Sequence, residues 1–277
     1  MYRLIFIIIL STTFVNAQIT IPALSPKAKT TQTVGLTTID IEYSRPSKRG
    51  REIFGNQGLL PNGEFWRTGA NTATKITFGD DIKILNALVK KGSYTILTKP
   101  GASQWEVYFY PYQSGNWTSY TSQEPILKLN AKAIKLNDVV ETFLINIDQI
   151  SLQNAALVFS WDRTKIVLPL QVEVHEKTMK NITKVLSGPS DFDYFQAALY
   201  LHEAGKDLDT ALEYIQKVTK GENARFFQVY REALILADLG RKKEAVLASQ
   251  KSLELAKKAK NNDFIRLNQK FIENQSK

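Results

Sequence analysis

Between Thr31 and Val174 apolar and polar positions alternate with a period of two, the spacing that turns one face of a strand to a core and the other to solvent. Ile39, Ile41 and Tyr43 interleave with Thr38, Asp40 and Glu42. The rhythm returns at Ile76/Phe78, Tyr94/Ile96, Trp105/Val107/Phe109, Phe143/Ile145/Ile147 and Leu157/Phe159/Trp161, then from Ile166 through Leu168, Leu170 and Val172 to Val174. Turn-forming residues punctuate these runs, among them Gly79 before Asp80 and Asp81, Gly92, Gly101 after Pro100, and Gly115 before Asn116. Many short strands with turn signals between them predict an all-β antiparallel sandwich. Positions 161–164 read as its last hairpin turn. Pro169 reads as an edge or a bulge, because proline brings no N–H to a ladder.

Beyond His175 the period becomes helical. Met179, Ile182, Val185 and Leu186 share one face, and Ser190 with Asp193 three residues on forms an N-terminal capping signal. Further helical runs are broken at Gly205, Gly221, Gly240 and Asn261. Ala211 and Leu212 are answered 34 residues later by Ala245 and Val246, and Val218 by Ser252. Small residues recurring at that interval predict an all-α tetratricopeptide-like array of helical hairpins. Each hairpin leaves an apolar face that only a neighbour can bury, so a short array leans on the β domain or on another chain. The sequence thus divides into a β-sandwich domain at 18–174, a linker helix at 175–190 and a helical domain at 191–277.

Residues 1–17 stand apart from both. Arg3 precedes an apolar run from Leu4 to Leu10, and small residues precede Gln18. This is the layout of a secretory signal peptide, and the run is far shorter than the ~20 residues of a spanning helix. The expected location is therefore periplasmic or secreted, with no transmembrane anchor after the leader is removed.

Composition narrows the chemistry. No cysteine and only two histidines argue against disulfides, thiolate centres, multi-histidine metal sites and a serine–histidine triad, so neither metal nor cofactor is expected. The net charge of +9 is spread along the chain rather than gathered in a basic arm, which argues against nucleic acid as a partner.

Positions 44–71 interrupt the strand rhythm, and an irregular connection of this length inside a domain is often functional. Trp66, Arg67, Thr68 and Asn71 surround Gly69 there, preceded by Arg45 and Arg51 with Lys48 and Arg49 between them. A guanidinium offers a bidentate fork to carboxylate or phosphate, and a tryptophan offers a face to a sugar ring. Trp66 also has a plain structural reading as a plug in the sandwich, and the basic run one as a solvated turn. Further on, Tyr108 and Tyr110 are expected to face outward if Trp105, Val107 and Phe109 face inward. With Tyr112 and Trp117 they would form a partner surface, unless another layer covers them. Asp40, Glu42 and Glu64 are the acids that an enzyme built around the same loop would need.

Several segments resemble an exported bacterial family known only as domain of unknown function 2911. They are Gln32 to Gly35, Ile41 to Pro46, Gly50 to Gly55, and above all Trp66 to Asn71 with Ala73 and Thr74; a weaker likeness covers Lys91 to Thr95. The resemblance runs from about Ser25 to Val174. It implies an exported β-rich domain and carries no catalytic residues with it. The expected function is a non-enzymatic binding or scaffold protein of the cell envelope, taking a ligand or partner near 66–71 and an envelope protein or glycan as partner. The repeats allow self-association into a homo-oligomer. The alternative is a periplasmic enzyme acting on glycan or peptidoglycan through those carboxylates.

Overall fold

The computed structural model describes residues 21–185, 188 and 190–275, so the expected leader lies outside the described residues. Two antiparallel sheets make up the first part of the chain. One has the strand order β1-β2-β3-β6-β7-β8, from β1 (Lys27–Val34), β2 (Thr37–Ser44), β3 (Thr74–Phe78), β6 (Gly92–Lys99), β7 (Gln104–Pro111) and β8 (Leu127–Lys132). The other has the order β5-β4-β10-β9, from β4 (Ile82–Ile84), β5 (Ala87–Val89), β9 (Ile134–Asp148) and β10 (Asn154–Val172). Their inner faces share a single core, in which Ile39, Ile41, Ile76, Ile96, Val107 and Phe109 of the first sheet meet Phe143, Ile145, Leu157, Phe159 and Leu168 of the second. The period of two in the sequence is the imprint of this core.

The expected hairpin turn at 161–164 does not form. β10 runs on through it as one strand, with register shifts between Ser160 and Asp162 and between Asp162 and Thr164. Asp162 takes a left-handed φ of 52°, so the polar stretch that mimics a turn is a pair of bulges. Pro169 lies past the last residue paired with β9, Lys165, and its carbonyl accepts from Leu85 N at 3.1 Å, so the missing N–H breaks no ladder bond.

The helices follow β10: α1 (His175–Val185), α2 (Asp191–Glu203), α3 (Leu208–Thr219), α4 (Phe226–Asp238), α5 (Lys242–Lys258) and α6 (Asn262–Gln275). Ser190 and Asp193 form the expected reciprocal cap at the start of α2. The matched positions Ala211 and Ala245 are both fully buried, and Val218 and Ser252 are buried as well. Asn268 ties α6 to α5: its Oδ1 accepts from Ser249 Oγ at 2.8 Å and its Nδ2 donates to Ser252 Oγ at 2.9 Å.

The helical part leans on the sheets. Tyr200 packs against both cores, stacks on His175 at 6.0 Å, and its hydroxyl lies 3.2 Å from His175 Nδ1. Lys177 pairs with Asp80 at 2.7 Å, which holds the Asp80 carboxyl below its ordinary range. Among the described residues no helix is long and apolar enough to cross a membrane.

Candidate functional site

The 66–71 loop is wired from within. Trp66 and Thr98 exchange backbone hydrogen bonds at 2.7 and 2.9 Å, which pins the loop to β6. Trp66 stacks on Trp161 at 5.6 Å and meets Phe143 edge-on at 4.7 Å, while its Nε1 donates to Gly69 O at 2.9 Å. Thr68 and Asn71 both adopt left-handed backbone, at φ 55° and 61°. The Thr68 hydroxyl bonds to Trp66 O and Thr98 Oγ1, and its carbonyl accepts from Thr74 Oγ1 at 2.6 Å. Asn71 Nδ2 donates to Ser25 O and Ser44 Oγ, each at 3.2 Å. Gly69 passes so close to β2 that an added Cβ would sit 3.0 Å from both Ser44 O and Thr74 Oγ1. Trp66, Thr68 and Asn71 therefore hold the loop in shape, and Thr68 is fully enclosed.

Arg67 is the side chain this scaffold presents. It borders a hollow of about 490 Å³ whose wall also includes Arg49, Arg51, Asn71, Trp117 and the edges of Trp66 and Trp161. The Arg67 guanidinium lies over the Trp117 ring, 5.6 Å from its centroid. Its Nε is buried and has no hydrogen-bond partner among the described residues. Arg51 is braced by Ser47 O at 2.7 Å and Lys48 O at 3.0 Å, and Arg49 by Leu24 O at 2.5 Å. Each keeps further N–H donors for a ligand. Among the described residues no carboxylate lines the hollow.

Other expectations need correction. Arg45 is not part of the hollow; its Nε donates to Phe143 O at 3.0 Å and ties the loop to β9. Tyr108 and Tyr110 do point away from the main core, but they do not face solvent. They are 6% and 1% exposed, beneath Tyr120, Phe65 and Trp117 in a second small core with Ala73 and Leu97. Tyr120 builds that cover. Its hydroxyl accepts from Gln113 N and Ser114 N and donates to Ser114 O, all at 2.8 Å. Burial alone would raise the pKa of this phenol, but its hydrogen bonds with Ser114 and Gln113 outweigh that and bring it below the ordinary value. The same cover carries Trp117 to the arginine hollow and leaves Tyr112 half-exposed at another one.

The acids do not converge on Arg67. Asp40 accepts from Thr31, Glu42 lies between Lys29 and Lys75, and Glu64 is exposed outside the wall of the hollow. Sequence reasoning did not join Trp117 to Arg67, because 50 residues separate them and they meet through long-range contacts, the Ala73 N to Gly115 O hydrogen bond at 2.9 Å and the Tyr120 clamp among them.

Fold and site define a two-sheet domain that carries a cationic, aromatic-walled hollow at one end, continued by a helical region. The family described as Protein of unknown function (DUF2911) matches residues 25–170, more than half of the chain, and the chain belongs to that family. No curated protein and no solved structure matches it.

Proposed function

We propose that the β domain is a binding module for a ligand that carries an oxyanion, a phosphate or a carboxylate, and that Arg67, Arg51 and Arg49 receive it. The observation that carries this reading is that three arginines border one hollow in whose wall no acid stands among the described residues. Leaving a buried donor unpaired costs about 1–3 kcal/mol, so the orphaned Arg67 Nε favours any state in which an acceptor reaches it. Sugar stacking has less support, because Trp66 is in the core and the Trp117 face is taken by Arg67. The resolved shifts of aspartate and glutamate all run downward, whereas an acid catalyst needs a carboxyl raised toward neutrality.

The helical region, read as a short tetratricopeptide-like array, acts in this proposal as a scaffold for a protein partner. The leader pattern makes the whole an exported protein of the cell envelope. Thermal melts with orthophosphate, citrate and a neutral disaccharide test the binding module. The anions should raise the midpoint of the wild type and not that of Arg67→Ala, whereas equal shifts with the neutral sugar would refute it.

A further inference from the structure

A second hollow of about 490 Å³ lies directly beside the first. Its floor is the outer face of β1, β2 and β3, where Lys29, Glu42 and Lys75 lie in cross-strand register, and Lys27 is paired with Ser44. Its wall is made by Thr72, Gly115 and Tyr112. The two hollows are walled by the same stretch of chain, since Asn71 lines the first and the next residue, Thr72, the second, while Gly115 and Trp117 of one loop line the second and the first. Ser44, on the floor of the second, accepts the hydrogen bond from Asn71.

The two are built alike. In each a cation rests over an aromatic ring of the 112–117 loop: Arg67 over Trp117 at 5.6 Å, and Lys75 over Tyr112 at 5.1 Å. Among the described residues they are lined together by Arg49, Arg51, Arg67, Lys27, Lys29 and Lys75 against one acid, Glu42. That acid is held loosely, 3.9 Å from Lys29 and 3.8 Å from Lys75, which is too far for a hydrogen bond to either.

We propose that the two hollows form one track for an oligomeric oxyanion, a short chain bearing at least two phosphate or carboxylate groups. One group sits on Arg67 and Arg51, and the next crosses the Asn71 ridge to Lys75 and Lys27. This rests on the anion-binding reading above and adds to it the length and the spacing of the ligand. Glu42 holds the second station in the free protein as a stand-in carboxylate, and the incoming group takes its place. The track does not fit a nucleic acid, whose single strands are held by bases stacked on open rings. Here the rings lie beneath cations.

Calorimetric titration of the full chain with orthophosphate, tripolyphosphate, galacturonate, trigalacturonate and a short single-stranded oligonucleotide tests this. At least one of the two trimers should bind tenfold or more tightly than its monomer, as expected when a second contact becomes intramolecular; which trimer does so identifies the oxyanion. Lys75→Ala and, at an exposed position, Lys27→Ala should remove the gain with length while leaving monomer binding unchanged. Glu42→Gln should strengthen trimer binding about twofold to threefold by removing the competing charge. Monomer binding without a gain for either trimer, or a gain that survives both lysine variants, overturns the track and leaves the anion site standing. Absence of binding by every anion overturns both. An oligonucleotide that binds more tightly than the trimers overturns the assignment of the ligand.

Discussion

Tyr120→Phe isolates the clamp that positions one wall of the arginine-lined hollow. The substitution keeps the ring in its small core with Tyr110 and Leu97 and removes only the hydroxyl. Three hydrogen bonds at 2.8 Å are lost, with Gln113 N, Ser114 N and Ser114 O. At about 1 kcal/mol net for each, the upper bound is about 3 kcal/mol. Gln113 and Ser114 are exposed, however, and water takes over part of what the hydroxyl supplied. We expect about 1.5 kcal/mol, which for a domain of this size lowers the melting midpoint by about 3–6 °C. The loop also carries Trp117, which backs Arg67, so affinity for orthophosphate should fall severalfold while the far-ultraviolet dichroism is unchanged. Differential scanning calorimetry and a phosphate titration on the same preparation read both effects. A variant with the wild-type midpoint and wild-type affinity would show that the hydroxyl neither holds the loop nor shapes the hollow.

Two further outcomes follow from the scaffold. Gly35→Ala should cost about 2 kcal/mol or more in chemical unfolding, since Gly35 turns β1 into β2 at φ 58° and a Cβ would meet the Val174 side chain and stand 2.8 Å from Leu152 O. A wild-type unfolding midpoint would refute that reading. The Lys177–Asp80 pair should make docking of α1 acid-sensitive. The Asp80 carboxyl lies below its ordinary 3.8, so its contribution is full above that value and is lost as pH falls through the depressed one. Both side chains are more than a third exposed, so screening keeps the effect below about 1 kcal/mol. Hydrogen exchange of α1 should quicken in Asp80→Asn at pH 7, and the difference from wild type should shrink as pH falls below 3.8; no difference at pH 7 would refute the lock.

What was legible in the sequence was periodicity, because periodicity is what a core imposes. Ile39, Ile41 and Tyr43 reveal their shared face without any knowledge of the partner sheet, and Ser190 with Asp193 reveals a helix start through purely local hydrogen bonds. What covers the opposite face is not local. Tyr108 and Tyr110 alternate correctly with Val107 and Phe109, yet they are buried by a polar-looking loop that is held by its own hydrogen bonds, those of the Tyr120 hydroxyl among them. The bulges around Asp162 escaped for a related reason, since a bulge and a turn draw on the same polar residues and differ only in whether the ladder resumes. At the site, Arg67 could be singled out from its neighbours in the chain. That Arg45 turns toward Phe143 O, and that Glu42 sits with lysines rather than with Arg67, depends on the register of strands distant in sequence.

The central claim is that the Arg67 guanidinium is an anion receptor held open by the fold, and its own Nε–H resonance tests this most directly. In a nitrogen-15 spectrum of the full chain titrated with orthophosphate, that signal should shift downfield and saturate, with the same midpoint as the quenching of tryptophan fluorescence from the walls of the hollow. A signal that stays in place while phosphate moves only lysine resonances elsewhere on the surface would contradict the account.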